Sequence, residues 1–98
     1  MRTRHKSYKD YGFEEGEEKQ LKLRCRSQDL EEHDKFLLRQ AAEKATPDLS
    51  KEVYDSITQN LSYDDLCCRN YVPIGRDDFY GYQRLTLYYY RNFLMLGI

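Results

Sequence analysis

The segment from about Arg76 to Leu96 constrains the fold most, because it contains no proline and repeats bulky apolar side chains at helical spacing. This spacing predicts an α-helix, the longest of the chain, with one side turned to the core and the other outward. The residues expected to face the core are Phe79, Tyr82, Leu85, Thr86, Tyr89, Phe93 and Leu96. The residues expected on the outward side are Tyr80, Arg84 and Arg91.

The rest of the chain also spaces its apolar residues as helices do, and it has only two prolines. We therefore predict an all-α fold of four or five helices. The helices expected before the C-terminal one run from Glu14 to Ser27, from Ser27 to before Pro47, from Asp48 or Ser50 to Asn60, and from Ser62 to Asn70. Ser27 and Ser62 are the expected N-caps, and Asp65 is the acidic partner of Ser62 in a capping box.

A chain of 98 residues fits one domain with one modest core. We divide it into a flexible basic tail at 1–12, a helical support at 13–60 and a helix-turn-helix-like part at 61–98. The C-terminal helix is expected to pack on Leu49, Val53 and Ile57, which form one stripe of the third helix. No apolar run approaches the roughly 20 residues that span a bilayer, so we expect a cytoplasmic protein without membrane contact.

Charge is distributed unevenly near the N-terminus, although the whole chain has a net charge of only −1. Residues 1–9 contain four Lys or Arg and no acid, whereas residues 10–18 contain five Asp or Glu and no base. The basic tail can contact a phosphate backbone through Arg2, Arg4 and Lys6, and the acidic segment can bind another protein. The near-neutral total charge gives no electrostatic signature of nucleic-acid binding.

Side chains suited to catalysis do not cluster in the sequence. The two histidines lie in the tail and on a polar helical face, and no glycine-rich phosphate loop occurs. Cys25, Cys67 and Cys68 form neither a disulfide framework nor a zinc motif. The acid pairs at 64–65 and 77–78 each fall in a first helical turn, where the helix dipole stabilises them. We expect no enzyme activity, no cofactor and no metal.

The last two predicted helices and the turn between them are spaced as in a helix-turn-helix, whose second helix enters the DNA major groove. Tyr71 and Ile74 are expected to hold the turn in the core. The side chains expected to contact DNA are Arg76, Asp77, Tyr80, Gln83 and Arg84, together with Arg2, Arg4 and Lys6 of the tail. Residues 61–98 hold four Asp and four Arg, so this part has no net positive charge.

The stretch LSYDDLCCRNYVPIGRDDFYGYQRLTLYYYRNFL resembles the C-terminal part of small transcription regulators in phages and mobile elements of Gram-positive bacteria. Their helix-turn-helix is similar to the DNA-binding region four of sigma factors. In these proteins a helix of the form lSYeeL leads through a turn to a helix of the form srstFYryRR..ll. Ser62 to Leu66 and Arg76 to Arg84 are similar to these two forms.

The resemblance covers about a third of the chain and implies a DNA-binding transcription regulator of a phage or mobile element. It places Phe79 and Tyr82 in the core and turns Tyr80, Gln83 and Arg84 towards double-stranded DNA. Residues 11–60 would then support this part or meet RNA polymerase or another protein. The sequence departs from the family pattern where Asp77 and Asp78 replace small hydroxyl residues and Gln83 replaces an arginine.

A protein-interaction module or inhibitor from the same kind of mobile element is the alternative function. It would bind through the acidic segment Asp10 to Glu18 or through the tyrosine-rich C-terminal helix, since aromatic side chains are enriched in protein interfaces. The last turns of that helix carry bulky residues on almost every side, including Leu87, Tyr88 and Met95. A homodimer contact would bury these side chains, and so would an earlier helix wrapped around this end; both alternatives stay open.

Overall fold

The structure, a computed structural model, describes residues 7–26, 30–69 and 71–97. It confirms the all-α class, since the described residues form five α-helices and no strand. The helices are α1 (Glu17–Arg26), α2 (Glu32–Ala45), α3 (Ser50–Gln59), α4 (Tyr63–Arg69) and α5 (Arg76–Leu96), with short 3-10 turns at Lys9–Tyr11 and Pro47–Leu49. None of the helices in the described ranges is long and apolar enough to cross a membrane.

Local chemistry sets the ends of α3 and α4 close to the predicted bounds. Asn60, with a φ of 55°, takes the left-handed conformation that ends α3. The predicted capping box precedes α4: the Ser62 amide donates to Asp65 Oδ2 at 2.9 Å, and the Asp65 amide donates to Ser62 Oγ at 3.1 Å. The hydrogen bonds from Ser62, its backbone amide first, lower the pKa of the Asp65 carboxyl.

The first helix begins later than predicted, at Glu17 rather than Glu14. Gly16 has a φ of 83°, which lies outside the right-handed helical region and prevents an earlier start. Glu17 Oε1 instead accepts a hydrogen bond from the Glu14 amide at 2.9 Å. The N-cap predicted at Ser27 and the helix stop predicted at Asn70 lie outside the described residues.

The C-terminal helix α5 packs against each of the other four helices. The predicted core of Leu49, Val53, Ile57 and Phe79 is buried. Val53, Ile57 and Phe79 belong to one core cluster, whose other members are Tyr11, Phe13, Cys25, Leu37, Leu38, Ala41, Leu66, Val72, Leu87 and Tyr90. The core therefore draws on the N-terminal segment as well as on every helix.

The buried side of α5 is turned by about one residue from the predicted side. Gln83, Leu87 and Tyr90 are buried, although none of them was assigned to the core. Phe79 and Thr86 are buried as predicted. The half-buried or exposed members of the predicted core set are Tyr82, Leu85, Tyr89, Phe93 and Leu96. Four helices surround α5, so a single apolar stripe does not decide which side is covered most.

Residues 7–12, predicted as part of a flexible tail, lie against α5. Tyr11 and Phe13 are buried, and the Tyr11 ring lies 4.9 Å from the Tyr88 ring, centroid to centroid. Tyr88 is therefore covered by its own chain rather than left open for a partner. Met95 is 72% exposed, so a homodimer through the end of α5 stays a prediction.

Candidate functional site

The start of α5 is fixed to α4 through Tyr63. The Tyr63 hydroxyl donates a hydrogen bond to the Ile74 carbonyl at 2.6 Å, and the Tyr63 amide donates to the Tyr80 hydroxyl at 3.0 Å. The Tyr63 ring also lies 5.7 Å from the buried Phe79 ring. These contacts join α4, residues 71–75 and the first turns of α5.

Arg76, the first residue of α5, is exposed but already paired. Its Nη2 lies 2.7 Å from Asp64 Oδ1, and its guanidinium lies 5.7 Å from the centroid of the Tyr63 ring. The hydrogen bond to Asp64 raises the pKa of Arg76. The positive charge expected to meet DNA is thus balanced by a carboxylate on the neighbouring helix.

We call the exposed surface of α4, residues 71–75 and the first turn of α5 the open end. Its exposed charged residues are Asp64, Asp65, Arg69, Arg76 and Asp77, and the neighbouring Asp78 is half-buried. Two arginines against four aspartates give a net charge of 2 − 4 = −2. The balance of zero over residues 61–98 also counted Arg84 and Arg91, which lie farther along α5; Arg91 pairs with Glu17 of the N-terminal segment. The open end is therefore acidic, and phosphate is repelled there.

Gln83 was predicted to face outward towards DNA, and this orientation is wrong. Its side chain is buried, and its Nε2 donates a hydrogen bond to Ser56 Oγ at 2.7 Å. Ser56 Oγ in turn donates to the Leu61 carbonyl at 3.0 Å. This buried pair ties α5 to the end of α3. The sequence offers a signal for this hydrogen bond, because Ser56 lies three residues after Val53 and so on the buried side of α3.

Two further tyrosines differ from their predicted places. Tyr80 is half-buried and its hydroxyl accepts the Tyr63 amide, so it is not freely presented to a DNA groove. Tyr71, expected in the core, is 86% exposed, and Val72 is buried in its place. Asp77 is exposed, as predicted. The predicted tail contacts Arg2, Arg4 and Lys6 lie outside the described residues.

A second surface of α5 is covered by the N-terminal segment. Arg84, Tyr88 and Arg91 follow one another at spacings of four and three residues, so they share one side of the helix. We call these three side chains the covered face and residues 7–18 the strap. Arg91 Nε lies 2.6 Å from Glu17 Oε2, and the Arg91 guanidinium lies 4.8 Å from the Phe13 ring centroid. The expectation that Arg91 points outward is wrong.

Arg84 is half-buried, and its charge influences two tyrosines of the strap. Burial raises the pKa of Tyr8 to about 12, and the positive charge of Arg84 acts in the opposite direction. Burial and Arg84 have the same opposing effects on the pKa of Tyr11, with a net rise. The charge of Arg84 therefore acts on both phenol groups. The prediction that Arg84 lies on the outward side of α5 does not fit its half-buried position.

The two surfaces that the sequence indicates for protein binding pack against each other. Tyr11 and Glu17 of the acidic segment contact Tyr88 and Arg91 of the tyrosine-rich helix. Glu14 and Glu15 remain exposed. These contacts were not predicted from the sequence, because residues 7–12 have the composition of a solvated terminus. The aromatic spacing of Tyr8, Tyr11 and Phe13 is the signal that identifies the strap.

Groups that could support catalysis or metal binding are scattered in the described ranges. In these ranges no three His, Cys, Asp or Glu side chains come together as a metal site. Cys67 and Cys68 are exposed, whereas Cys25 is buried, and burial raises the pKa of its thiol to about 12. A cleft of about 190 Å³ lies between α2 and α3, lined by Arg39, Glu43, Ser50, Lys51 and Tyr54. Its mixture of charges favours no particular ligand.

No protein-family model, curated protein or solved structure matches this chain. The likeness to phage and mobile-element regulators therefore depends on the sequence stretch quoted above.

Proposed function

We propose that this chain is a protein-interaction module that presents its open end to a positively charged surface of another protein. The observation that carries the proposal is the net charge of −2 at the open end, where a DNA-binding helix would need positive charge. Complementary charge speeds the encounter with a basic partner and rejects acidic ones. DNA, with its dense phosphate charge, is disfavoured at the same surface.

The open end also carries an exposed aromatic side chain of the kind enriched in interfaces. Tyr71 is 86% exposed, and tyrosine supplies a large contact area at a small cost in conformational entropy. The hydrogen bonds of Tyr63 hold the surrounding backbone in place before binding, which reduces the ordering cost on association. The acidic charge and the exposed ring together favour a basic partner with an apolar contact point.

Photo-crosslinking tests this proposal. Tyr71→p-benzoylphenylalanine is expected to crosslink the module to a protein partner in cells that carry its gene. The same substitution at Phe36, half exposed on α2, is the control for position and is expected to capture far less. Equal capture from both positions, or none from either, contradicts the proposal.

Charge variants test the partner chemistry. The double variant Asp64→Asn with Asp77→Asn is expected to weaken capture by about threefold to tenfold, because exposed ion pairs contribute modestly. Glu14→Gln with Glu15→Gln makes the same change in net charge on the strap, and is expected to leave capture unchanged. An equal loss in both double variants would mean that total charge, and not the open end, attracts the partner.

A DNA-binding regulator is the second candidate function. It is favoured by the succession of α4, a short connection and a long α5 that begins with an exposed arginine. A low-salt binding assay with DNA from the neighbourhood of the gene tests it, using wild type and Asp77→Ser with Asp78→Ser. Sequence-specific binding by wild type, lowered roughly tenfold by Arg76→Ala, supports the regulator. Binding by the serine variant alone favours the protein-interaction module.

A further inference from the structure

The carboxylates of the open end differ in whether the chain already uses them. Asp64 Oδ1 lies 2.7 Å from Arg76 Nη2. Asp65 Oδ2 accepts a hydrogen bond from the Ser62 amide at 2.9 Å, and the charge of Arg69 also acts on this carboxylate. Both acids are exposed to solvent, yet each is already engaged by groups of its own chain.

Asp77, the second residue of α5, is exposed and has no such engagement. Its carboxylate makes no hydrogen bond or ion pair with any residue that the structure describes. Asp78, the next residue, is half-buried and interacts within the chain. A carboxylate with an internal partner has to give up that partner to bind a new cation, whereas one that contacts only water gives up less. Asp77 is therefore the acid of this surface that gains most from a cation of another molecule.

A helix N-terminus gives Asp77 a structural role that has to be separated from binding. The N-cap of α5 is Gly75, which supplies no side-chain hydrogen bond to the first amides. Acids in the first turn stabilise such an end through the helix dipole. Asp78 lies in the same turn, so the helix keeps an acid there when Asp77 is replaced.

We propose that Asp77 determines the specificity of the open end, and that its carboxylate forms an ion pair with a cationic side chain of the partner protein. This inference rests on the proposed function and names the residue that selects a basic partner. The exposed Tyr71 ring supplies the apolar contact. Asp64 and Asp65 act on the partner only through their longer-range field, because their close contacts are internal.

The test compares two single variants that remove the same charge from the open end. Asp77→Asn removes the unengaged carboxylate. Asp65→Asn removes an engaged one, and the asparagine oxygen can still accept the Ser62 amide. Each is combined with Tyr71→p-benzoylphenylalanine in the full chain, and the yield of crosslinked partner in cells is compared with that of the crosslinker alone. Asp77→Asn is expected to lower the yield about threefold to fivefold, and Asp65→Asn less than about twofold. Equal losses overturn the proposal.

Two further measurements separate an ion pair with the partner from a role in the helix. Asp77→Glu keeps a carboxylate and is expected to retain the crosslinking yield within about twofold. A loss as large as that of Asp77→Asn overturns the proposal. In cell lysate, added salt is expected to lower the yield more without Asp77→Asn than with it, because salt screens the ion pair that this variant lacks. Equal salt dependence also overturns the proposal.

The outcomes for this inference and for the proposed function are distinct. Capture of a partner at position 71 with equal losses in Asp77→Asn and Asp65→Asn overturns the role of Asp77 and leaves the interaction module standing. The absence of any capture by Tyr71→p-benzoylphenylalanine alone overturns both.

Discussion

Two arginines of the same helix form close ion pairs in very different surroundings. Arg76 and Asp64 approach to 2.7 Å with 58% and 73% of their side chains exposed; Arg91 and Glu17 approach to 2.6 Å with 21% and 30% exposed. Water and salt screen the first pair, whereas the second is shielded and backed by the Phe13 ring. An arginine–carboxylate pair therefore lies on the exposed surface at one end of α5, and a second such pair holds the N-terminal segment at the other end.

The two pairs show why the net charge of a stretch of sequence does not predict the charge of each surface in the fold. Over residues 61–98 four arginines balance four aspartates. In the fold, Arg84 and Arg91 lie beyond the open end, where Arg91 pairs with Glu17, and the open end is left acidic. A neutral stretch of sequence thus folds into one acidic surface and a second surface on which Arg91 is covered by the N-terminal segment.

The largest expected effect lies beneath the open end. Phe79→Ala removes a fully buried ring that packs against Tyr63, and is expected to lower the free energy of unfolding by about 3–5 kcal/mol. Urea denaturation measures it. Phe93→Ala, at a half-buried position, is expected to cost less and serves as control. A loss below about 1 kcal/mol for Phe79→Ala would mean that the open end is not supported by the core.

The next effect is a loss of stability at alkaline pH through buried tyrosines of the strap and of α5. Burial raises the pKa of Tyr8 and Tyr90 to about 12, from 10.0 for the unfolded chain. Because their pKa is raised in the folded state, the contribution of these two tyrosines to folding stability is fully present below pH 10. It is lost as the pH rises through about 12. Thermal melts between pH 9 and pH 12 should show a falling melting temperature. Tyr8→Phe should reduce the fall, and Tyr71→Phe, at an exposed position, should not.

Removing the arginine of the shielded pair is expected to have a moderate effect. Arg91→Ala deletes both the partner of Glu17 and the cation above Phe13. The expected loss is about 1–2 kcal/mol of unfolding free energy, between the values for exposed and fully buried pairs. Arg91→Lys keeps the charge but loses the planar contact, and should recover only part of the loss.

The smallest expected effect is at the exposed pair. Arg76→Ala should leave the unfolding midpoint in urea within experimental error, because solvent screens its bond to Asp64. The measurement belongs beside that of Arg91→Ala under the same salt conditions. Similar losses of unfolding free energy for the two variants would mean that the shielded pair contributes no more to stability than the exposed one.

Helix ends were predictable where one or two neighbouring residues determine them. Asn60 ends α3 through its own backbone conformation, and Ser62 and Asp65 start α4 through mutual hydrogen bonds. α2 ends before Pro47, because the residue that precedes a proline adopts an extended conformation. Such signals are local, and the sequence displays them directly.

The orientation of α5 was not predictable from its own pattern, because its surroundings come from distant parts of the chain. Gln83 looks like a surface residue until Ser56 is placed opposite it, 27 positions earlier in the sequence. Tyr88 and Arg91 look exposed until Tyr11 and Glu17 fold across them. The predicted DNA-contact set on α5 was therefore built on a helix rotated from its true position. Of the set's members that the structure describes, only Arg76 and Asp77 are exposed as expected.

The hydrogen bond between the Tyr63 amide and the Tyr80 hydroxyl has a consequence for local opening. The first amides of a helix have no carbonyl partner within it and normally exchange their hydrogen quickly. α4 has only seven residues, too few to be stable alone, and its first amide is held by a side chain of α5. Amide exchange at Tyr63 therefore reports separation of α4 from α5, and Tyr80→Phe would let that amide exchange as freely as one at a frayed helix end.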